Sequence, residues 1–259
     1  MNSVVDETSR QSRGKGAGQL SVHTGRTLML RDLVTVLDSG VAVAGSSGMR
    51  RAVVEGNVLG KPTVRTRMAS WTYLNRLYGL SDTSAVMSAF LYLWQAVPEA
   101  RPQLALLRTL ERDFLLRLSA PWIMTQLVGQ AVTAPALATE LMRLNVTYSE
   151  KTLASISSNL LSSWTQAGWL AGLNPKRRVA VQWQPGAAAW LLYTAYGQGQ
   201  RGAGLYDTPL AHLLGLDAEQ QDALAFAASQ ERLLSYKRLA DVVEITFPGW
   251  DARSSGDPA

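Results

Sequence analysis

The side chains best placed to do chemistry share one helical face near the middle of the chain, and that chemistry is the binding of a polyanion. Steps of three and four bring together short polar and basic residues, namely Lys151, Thr152, Ser155, Ser158, Asn159 and Ser162. Ammonium, hydroxyl and amide groups donate hydrogen bonds to phosphates and base edges. This face contains no acidic residue after Glu150, so a polyanion could approach it closely.

Three consecutive cations, Lys176, Arg177 and Arg178, follow the Asn174-Pro175 turn. Val179, Val181 and Trp183 then alternate as in a short strand. Helix, turn, helix, basic loop and strand is the order of a DNA-reading module whose wing touches phosphates. The pattern predicts a winged helix-turn-helix over residues 131–185. The same order also suits a unit that only packs or contacts proteins, and both interpretations remain open.

The elements that would position these side chains are two helices. Residues 134–144 are apolar at helical spacing, and residues 145–148 interrupt that pattern. Ser149 is a suitable N-cap for the second helix, and Glu150 stands in its first turn, where a carboxylate favours the helix dipole. The second helix is expected to bury an apolar stripe formed by Leu153, Ile156, Leu160, Trp164 and Ala167.

A second basic cluster lies between residues 50 and 76. Six cations accompany a single acid, Glu55, and these cations are Arg50, Arg51, Lys61, Arg65, Arg67 and Arg76. A run of charge is usually a solvated helix face. The alternative is a patch that follows phosphates and extends the contacts of the winged helix-turn-helix.

No enzyme motif is recognised. The chain has no cysteine, which excludes disulfides, thiolate metal sites and cysteine nucleophiles. The two histidines, His23 and His212, lack carboxylates at metal-ligand spacing, and no G-x-S-x-G sequence is present. Residues 197–202 have the glycine spacing of a dinucleotide site but follow a predicted helix instead of a strand. The sequence therefore predicts no catalytic residues, no metal site and no cofactor.

Composition and hydropathy limit the class of protein. Of the 259 residues 47% are hydrophobic, which is enough for a substantial core. The net charge of +5 permits an acidic partner without requiring one. No apolar run reaches the roughly 18 residues that a membrane span needs, and residues 1–20 lack a secretory pattern. We therefore expect a cytoplasmic protein without membrane contact.

The predicted fold is mainly α. A helical bundle is expected over residues 26–130, with helices at 27–37, 50–58, 63–78, 81–96, 99–118 and 121–130. The winged helix-turn-helix follows at 131–185. Residues 186–250 repeat the rhythm of helices followed by a two-stranded ribbon, which suggests a second winged-helix-like region. Residues 1–25 and 251–259 are predicted to be disordered tails.

Several short segments along the chain share the pattern of one protein family. They are residues 57–59 (NVL) with 63–67 (TVRTR), 104–115 around Asp113-Phe114, 148–152 (YSEKT) through 160–161 (LL) to 167–170 (AGWL), and 240–245 (ADVVEI). Together these segments resemble the BrxA family, an accessory protein of the BREX bacteriophage-exclusion systems. The resemblance covers roughly residues 26–247. It implies a helical protein that binds double-stranded DNA through a winged helix without known catalysis. It also implies bacterial anti-phage defence alongside a methyltransferase and other BREX components.

The leading hypothesis from the sequence is a DNA-binding accessory protein with low sequence specificity. Lys151, Thr152, Ser155, Ser158 and Asn159 are expected to face the major groove, and Lys176, Arg177 and Arg178 to hold phosphates. Arg50, Arg51, Lys61, Arg65 and Arg67 are expected to extend the backbone contacts. Two alternatives stay open: a scaffold that binds only other defence proteins, and an RNA-binding helical protein.

Overall fold

A computed structural model describes residues 21–41 and 45–250, and within these ranges the chain is mainly helical, as predicted. The first six helices precede any strand. They are α1 (Leu30–Asp38), α2 (Gly45–Val54), α3 (Val64–Tyr78), α4 (Ala85–Ala96), α5 (Arg101–Arg112) and α6 (Phe114–Thr125). The predicted second helix lies earlier than expected, since α2 begins at Gly45. The predicted tails at 1–20 and 251–259 lie outside the described residues.

The single helix predicted over residues 99–118 is wrong, because the chain turns at Asp113. This residue is extended (φ −112°, ψ 114°), and its carboxylate accepts the amide of Leu116 at 3.1 Å. Asp113 therefore ends α5 and caps the start of α6. The predicted helix at 121–130 is also wrong, since Pro121 lies inside α6 and that helix ends at Thr125.

The N-terminal tail predicted over residues 1–25 is wrong for its last five residues. Val22–Thr24 forms a 3₁₀ turn that Ser21 caps. Ser21, Val22 and His23 are buried against the helices. The short segment 21–25 does not itself indicate an ordered turn, because the groups that bind the turn lie far away in the chain.

The middle of the chain contains two helices and a small sheet. The helices are α7 (Ala134–Arg143) and α8 (Glu150–Gln166). The strands are β1 (Ala131–Val132), β2 (Leu170–Ala171) and β3 (Lys176–Arg178), antiparallel in the order β1-β3-β2. The strand predicted at 179–183 is wrong: the three cations themselves form the central strand, and the loop before it is residues 172–175.

The last quarter of the described chain packs on the first half. It contains α9 (Pro185–Gly197), α10 (Pro209–Leu213), α11 (Ala218–Gln230) and a hairpin of β4 (Ser235–Leu239) with β5 (Val242–Thr246). Helix α9 is buried for most of its length and contacts α4, α5 and α11. A β-carbon on Gly186 would stand 3.0 Å from that of Val97, so glycine permits this close approach. The bundle and the C-terminal region therefore share one core.

None of the helices in the described ranges combines the length and the apolar character that crossing a bilayer requires.

Candidate nucleic-acid interface

Helix α8 presents a polar face only along its first half. Ser149 caps the helix by accepting the amide of Thr152, and all five residues of the predicted apolar stripe are buried. Lys151, Ser155 and Ser158 are exposed, as predicted. Thr152 is half-buried, and its hydroxyl lies 2.9 Å from the hydroxyl of Ser149. The accessible part of the helix thus begins at its N-terminus, the end with which recognition helices contact bases.

The second half of α8 is covered by the segment that precedes α1. The side-chain amide of Asn159 donates to the carbonyl of His23 at 3.1 Å, and Gln166 accepts the amide of Leu30 at 3.1 Å. Asn159 was predicted to face the major groove. Its side chain is instead held against the protein, so that prediction needs correction. Helical spacing shows which face a residue occupies, but it does not show what packs on that face.

A buried network fixes this covering segment. His23 Nδ1 lies 3.1 Å from Asp113 Oδ1, and His23 Nε2 lies 2.9 Å from Ser163 Oγ. The hydroxyl of Ser21 also donates to Asp113, at 2.7 Å and 2.8 Å to its two oxygens. Sequence spacing does not indicate this cluster, because its members lie far apart in the chain; His23 and Ser163 are separated by 140 positions.

The order serine, histidine, aspartate is also that of a hydrolytic triad, but this network lies in the core. His23 and Ser163 have no exposed surface, and Asp113 is 4% exposed. Ser163 Oγ already accepts the amide of Leu28 at 2.8 Å and donates to the carbonyl of Asn159 at 2.9 Å. A nucleophile needs access to substrate and a free lone pair. The arrangement therefore supports a structural role that ties the N-terminal segment to α8.

The network also makes the stability of the fold depend on pH. Burial raises the pKa of Asp113, but His23 and the hydrogen bond from Ser21 lower it by more than burial raises it. The net result is a pKa of about 2, compared with a usual 3.8. A carboxyl group with a depressed folded-state pKa stabilises the fold above its unfolded pKa and loses that contribution as the pH falls through its folded pKa. Asp113 thus stabilises the protein fully above about pH 4, and most of that contribution is gone by pH 2.

We expect wild type to lose about 2 kcal/mol of unfolding free energy more than Asp113→Asn does between pH 5 and pH 2. Urea unfolding at each pH measures this difference, and carboxyl groups elsewhere titrate in both proteins and cancel. A gap between the two proteins that stays constant across this range would contradict the assignment.

The wing, defined here as β2, the loop 172–175 and β3, presents two of its three predicted cations. Arg177 is exposed, and its guanidinium donates to the carbonyl of Gly129 at 2.9 Å. Lys176, which precedes it on the opposite face of the strand, is half-buried. Arg178 points inward and donates to the carbonyls of Trp169 and Val179, and burial lowers its pKa. The prediction that Arg178 holds phosphate therefore needs correction, because its guanidinium already donates hydrogen bonds to backbone carbonyls.

Acidic residues are absent from the sequence between Lys151 and Tyr206, a stretch that includes most of α8, the wing and α9. Glu150 stands at the edge of this stretch and is exposed. Glu140 on α7 is paired with Arg143, with 2.7 Å between the carboxylate and the guanidinium. Within α8 and the wing, Glu150 is therefore the one acidic residue.

The predicted patch of the bundle is only partly joined to this face. A groove of about 910 Å³ contains Lys61 together with Gln166 from the end of α8. Two further cations, Arg26 and Arg31, line the same groove and were not predicted. The ammonium of Lys61 is 3.0 Å from the carboxylate of Asp32, which offsets part of its charge.

The other five cations of that cluster lie outside the groove, and one of them, Arg76, is exposed on α3. Arg50 and Arg51 are exposed on α2, and Arg65 is exposed on the first turn of α3. Arg67 is half-buried and donates to the carbonyl of Glu55 at 3.4 Å. Of the predicted patch, only Lys61 is thus brought next to α8.

No group of three or more histidine or acidic side chains in the described ranges is arranged to hold a metal ion. The chain matches no known protein-family model and no curated protein.

Proposed function

We propose that the protein is a non-catalytic, double-stranded DNA-binding accessory protein with low sequence specificity, and that residues 131–185 are a winged helix-turn-helix. One observation carries the proposal: the exposed first half of α8 is followed by a basic wing, within a stretch of sequence that has no acidic residue. The order of α7, α8 and the β2–β3 hairpin supports the winged-helix interpretation.

In this proposal the N-terminal half of α8 enters the major groove. Lys151, Ser155 and Ser158 are the exposed side chains that face the bases. Serine hydroxyls make single hydrogen bonds and do not form the bidentate pairs that distinguish one base from another. Lys176 and Arg177 contact phosphates from the wing. Binding is thus dominated by the backbone, which makes specificity low.

The biological setting rests on the sequence resemblance to the BrxA family. We propose that DNA binding serves bacteriophage exclusion together with a methyltransferase and other BREX components. The order of α9, α10 and α11 followed by the β4–β5 hairpin also supports a second winged-helix-like region over 186–250. Because α9 is buried, any surface that this region offers to a partner lies on its other elements.

The test is duplex binding measured against salt concentration. A labelled duplex is titrated with the full chain, and the logarithm of the association constant is plotted against that of salt. Each phosphate contact should add a slope of about −0.9. Adding unlabelled single-stranded RNA or duplex DNA as competitor separates the RNA alternative. A salt-independent affinity, or stronger competition by RNA, would contradict the proposal.

Glu150 provides a second check on the location of the interface. Replacing it by glutamine should raise duplex affinity about two- to fivefold, because unit charges near each other in water interact by about 1 kcal/mol. Glu219 is the matched control, since it is also an exposed first-turn glutamate, on α11. Fluorescence anisotropy at low salt measures both variants. An equal gain for Glu219→Gln would show that only net charge matters.

A protein scaffold is the second candidate, and one observation favours it. Leu239 and Val242 face each other at the tip of the β4–β5 hairpin and are 81% and 71% exposed. Neighbouring apolar side chains in water form a surface that a protein partner can cover. Co-purification with a defence component, together with no duplex binding at low salt, would favour this function over the first.

A further inference from the structure

The tip of the wing carries an apolar side chain with almost no protein contact. Leu173 is 92% exposed in the loop between β2 and β3. Gly172 and Asn174 flank it along the chain, and Lys176 and Arg177 follow after Pro175. A large apolar side chain held in water at a hairpin tip gains nothing from the fold itself. Leu173 is therefore free to contact a molecule outside the protein.

The charges around Leu173 indicate which partner. Its nearest acidic residues in the sequence are Glu150 and Asp207. Arg177 lines a cleft of about 440 Å³ beside the loop, together with Gly172 and Pro175. A partner that tolerates two adjacent cations and also offers an apolar slot is a nucleic acid duplex, whose stacked bases lie between two rows of phosphates. Proteins that bind the minor groove insert leucine, proline and similar side chains between base steps in this way.

We propose that Leu173 is a wedge that inserts into the minor groove of duplex DNA while Lys176 and Arg177 hold the flanking phosphates. This inference rests on the proposed function and adds to it a mode of engagement. Insertion partly unstacks one base step and bends the duplex away from the wing. Pyrimidine–purine steps unstack most easily, so the wing favours duplexes that place such a step under its tip.

The chain offers a matched control for this wedge. Leu239 is 81% exposed at the tip of the other hairpin, also beside a lysine and an arginine, Lys237 and Arg238. Substituting serine at either position removes the same exposed apolar group. Each variant is compared with wild type on a duplex that carries 2-aminopurine at a central TA step and a fluorophore pair at its ends.

Wild type and Leu239→Ser are expected to raise 2-aminopurine fluorescence and shorten the distance between the duplex ends. Leu173→Ser is expected to do neither and to bind about five- to twentyfold more weakly, with an unchanged salt slope because no charge is altered. Leu173→Phe should restore the fluorescence, since phenylalanine is also an effective wedge.

Three results would overturn the wedge. If Leu173→Ser unstacks and bends the duplex as Leu239→Ser does, the wedge is absent and the proposed function stands. If Leu173→Ser instead dissociates a dimer in analytical ultracentrifugation and leaves the fluorescence unchanged, the tip is a protein interface. If wild type binds no duplex at low salt, both the wedge and the proposed function are wrong.

Discussion

Replacing Lys176 and Arg177 together by alanine is expected to weaken duplex binding about 10- to 100-fold at low salt. In the proposed complex each side chain neutralises one phosphate, so the double variant should lose about 1.8 from the slope of log affinity against log salt. The loss should be similar for all duplex sequences, because phosphate contacts carry no direct sequence information. Anisotropy titrations on several duplexes measure both quantities. A loss confined to certain sequences would show that the wing reads bases.

The matched control is Lys237→Ala with Arg238→Ala in β4. This strand also places a lysine next to an arginine in a two-stranded hairpin. In this hairpin each cation is already paired with an acidic side chain. The guanidinium of Arg238 lies 2.5 Å from the carboxylate of Asp222, and the ammonium of Lys237 lies 3.8 Å from the carboxylate of Glu244. The control variant should therefore change affinity and slope far less than the wing variant. An equal loss in both would mean that general charge, and not the wing, holds the duplex.

Asp113→Ala is expected to lower the free energy of unfolding by about 3–5 kcal/mol, which is typical when one member of a buried ionic or hydrogen-bonded cluster is removed. The carboxylate accepts from Ser21, from the backbone amide of Val22 and from Leu116, and it contacts His23. Alanine satisfies none of these groups. Urea unfolding followed by circular dichroism at neutral pH measures the loss.

Asp217→Ala provides the comparison. Asp217 also caps a helix, α11, but it is exposed and its cap is local. Loss of an exposed cap costs about 1 kcal/mol. If the two variants lose the same amount, Asp113 acts only as a cap and the link to His23 adds nothing. If Asp113→Ala is much less stable, the long-range network is the cause, and Asn159 on α8 should become more accessible to solvent.

Local features of the sequence predicted the two helices of the candidate interface well, although not its strands. Ser149 was expected to cap α8, and it does, because the pairing of a cap with an amide three residues on is encoded in adjacent residues. The buried stripe from Leu153 to Ala167 followed from helical spacing alone. The mainly helical character followed from the same periodicity. These features depend on contacts within one turn of helix.

Features that depend on distant partners could not be predicted. Asp113 ends a helix within a continuous helical pattern, with no proline or glycine to signal the break. The groups that bind its carboxylate, Ser21 and Val22, lie more than 90 positions away, so the local sequence does not show why the helix ends there. Arg178 is a cation like its two neighbours in the sequence, but its guanidinium donates to a backbone carbonyl next to β3. Arg26 stands just before the helix predicted at 27–37, and its sequence neighbours do not indicate the groove that it lines. The winged-helix interpretation and the DNA contacts remain proposals.

The burial of α9 among α4, α5 and α11 has a mechanical consequence for residues 131–185. The buried side chains of this segment belong to the same core as the bundle, and the chain enters it from α6 and leaves it into α9, so the segment is anchored along its length and at both ends. A reader domain on a single flexible tether can pivot and sample many orientations. A doubly anchored one cannot. A duplex bound by α8 and the wing would therefore have a fixed orientation relative to the whole protein. A subunit bound elsewhere on the protein would then face a fixed direction along that duplex.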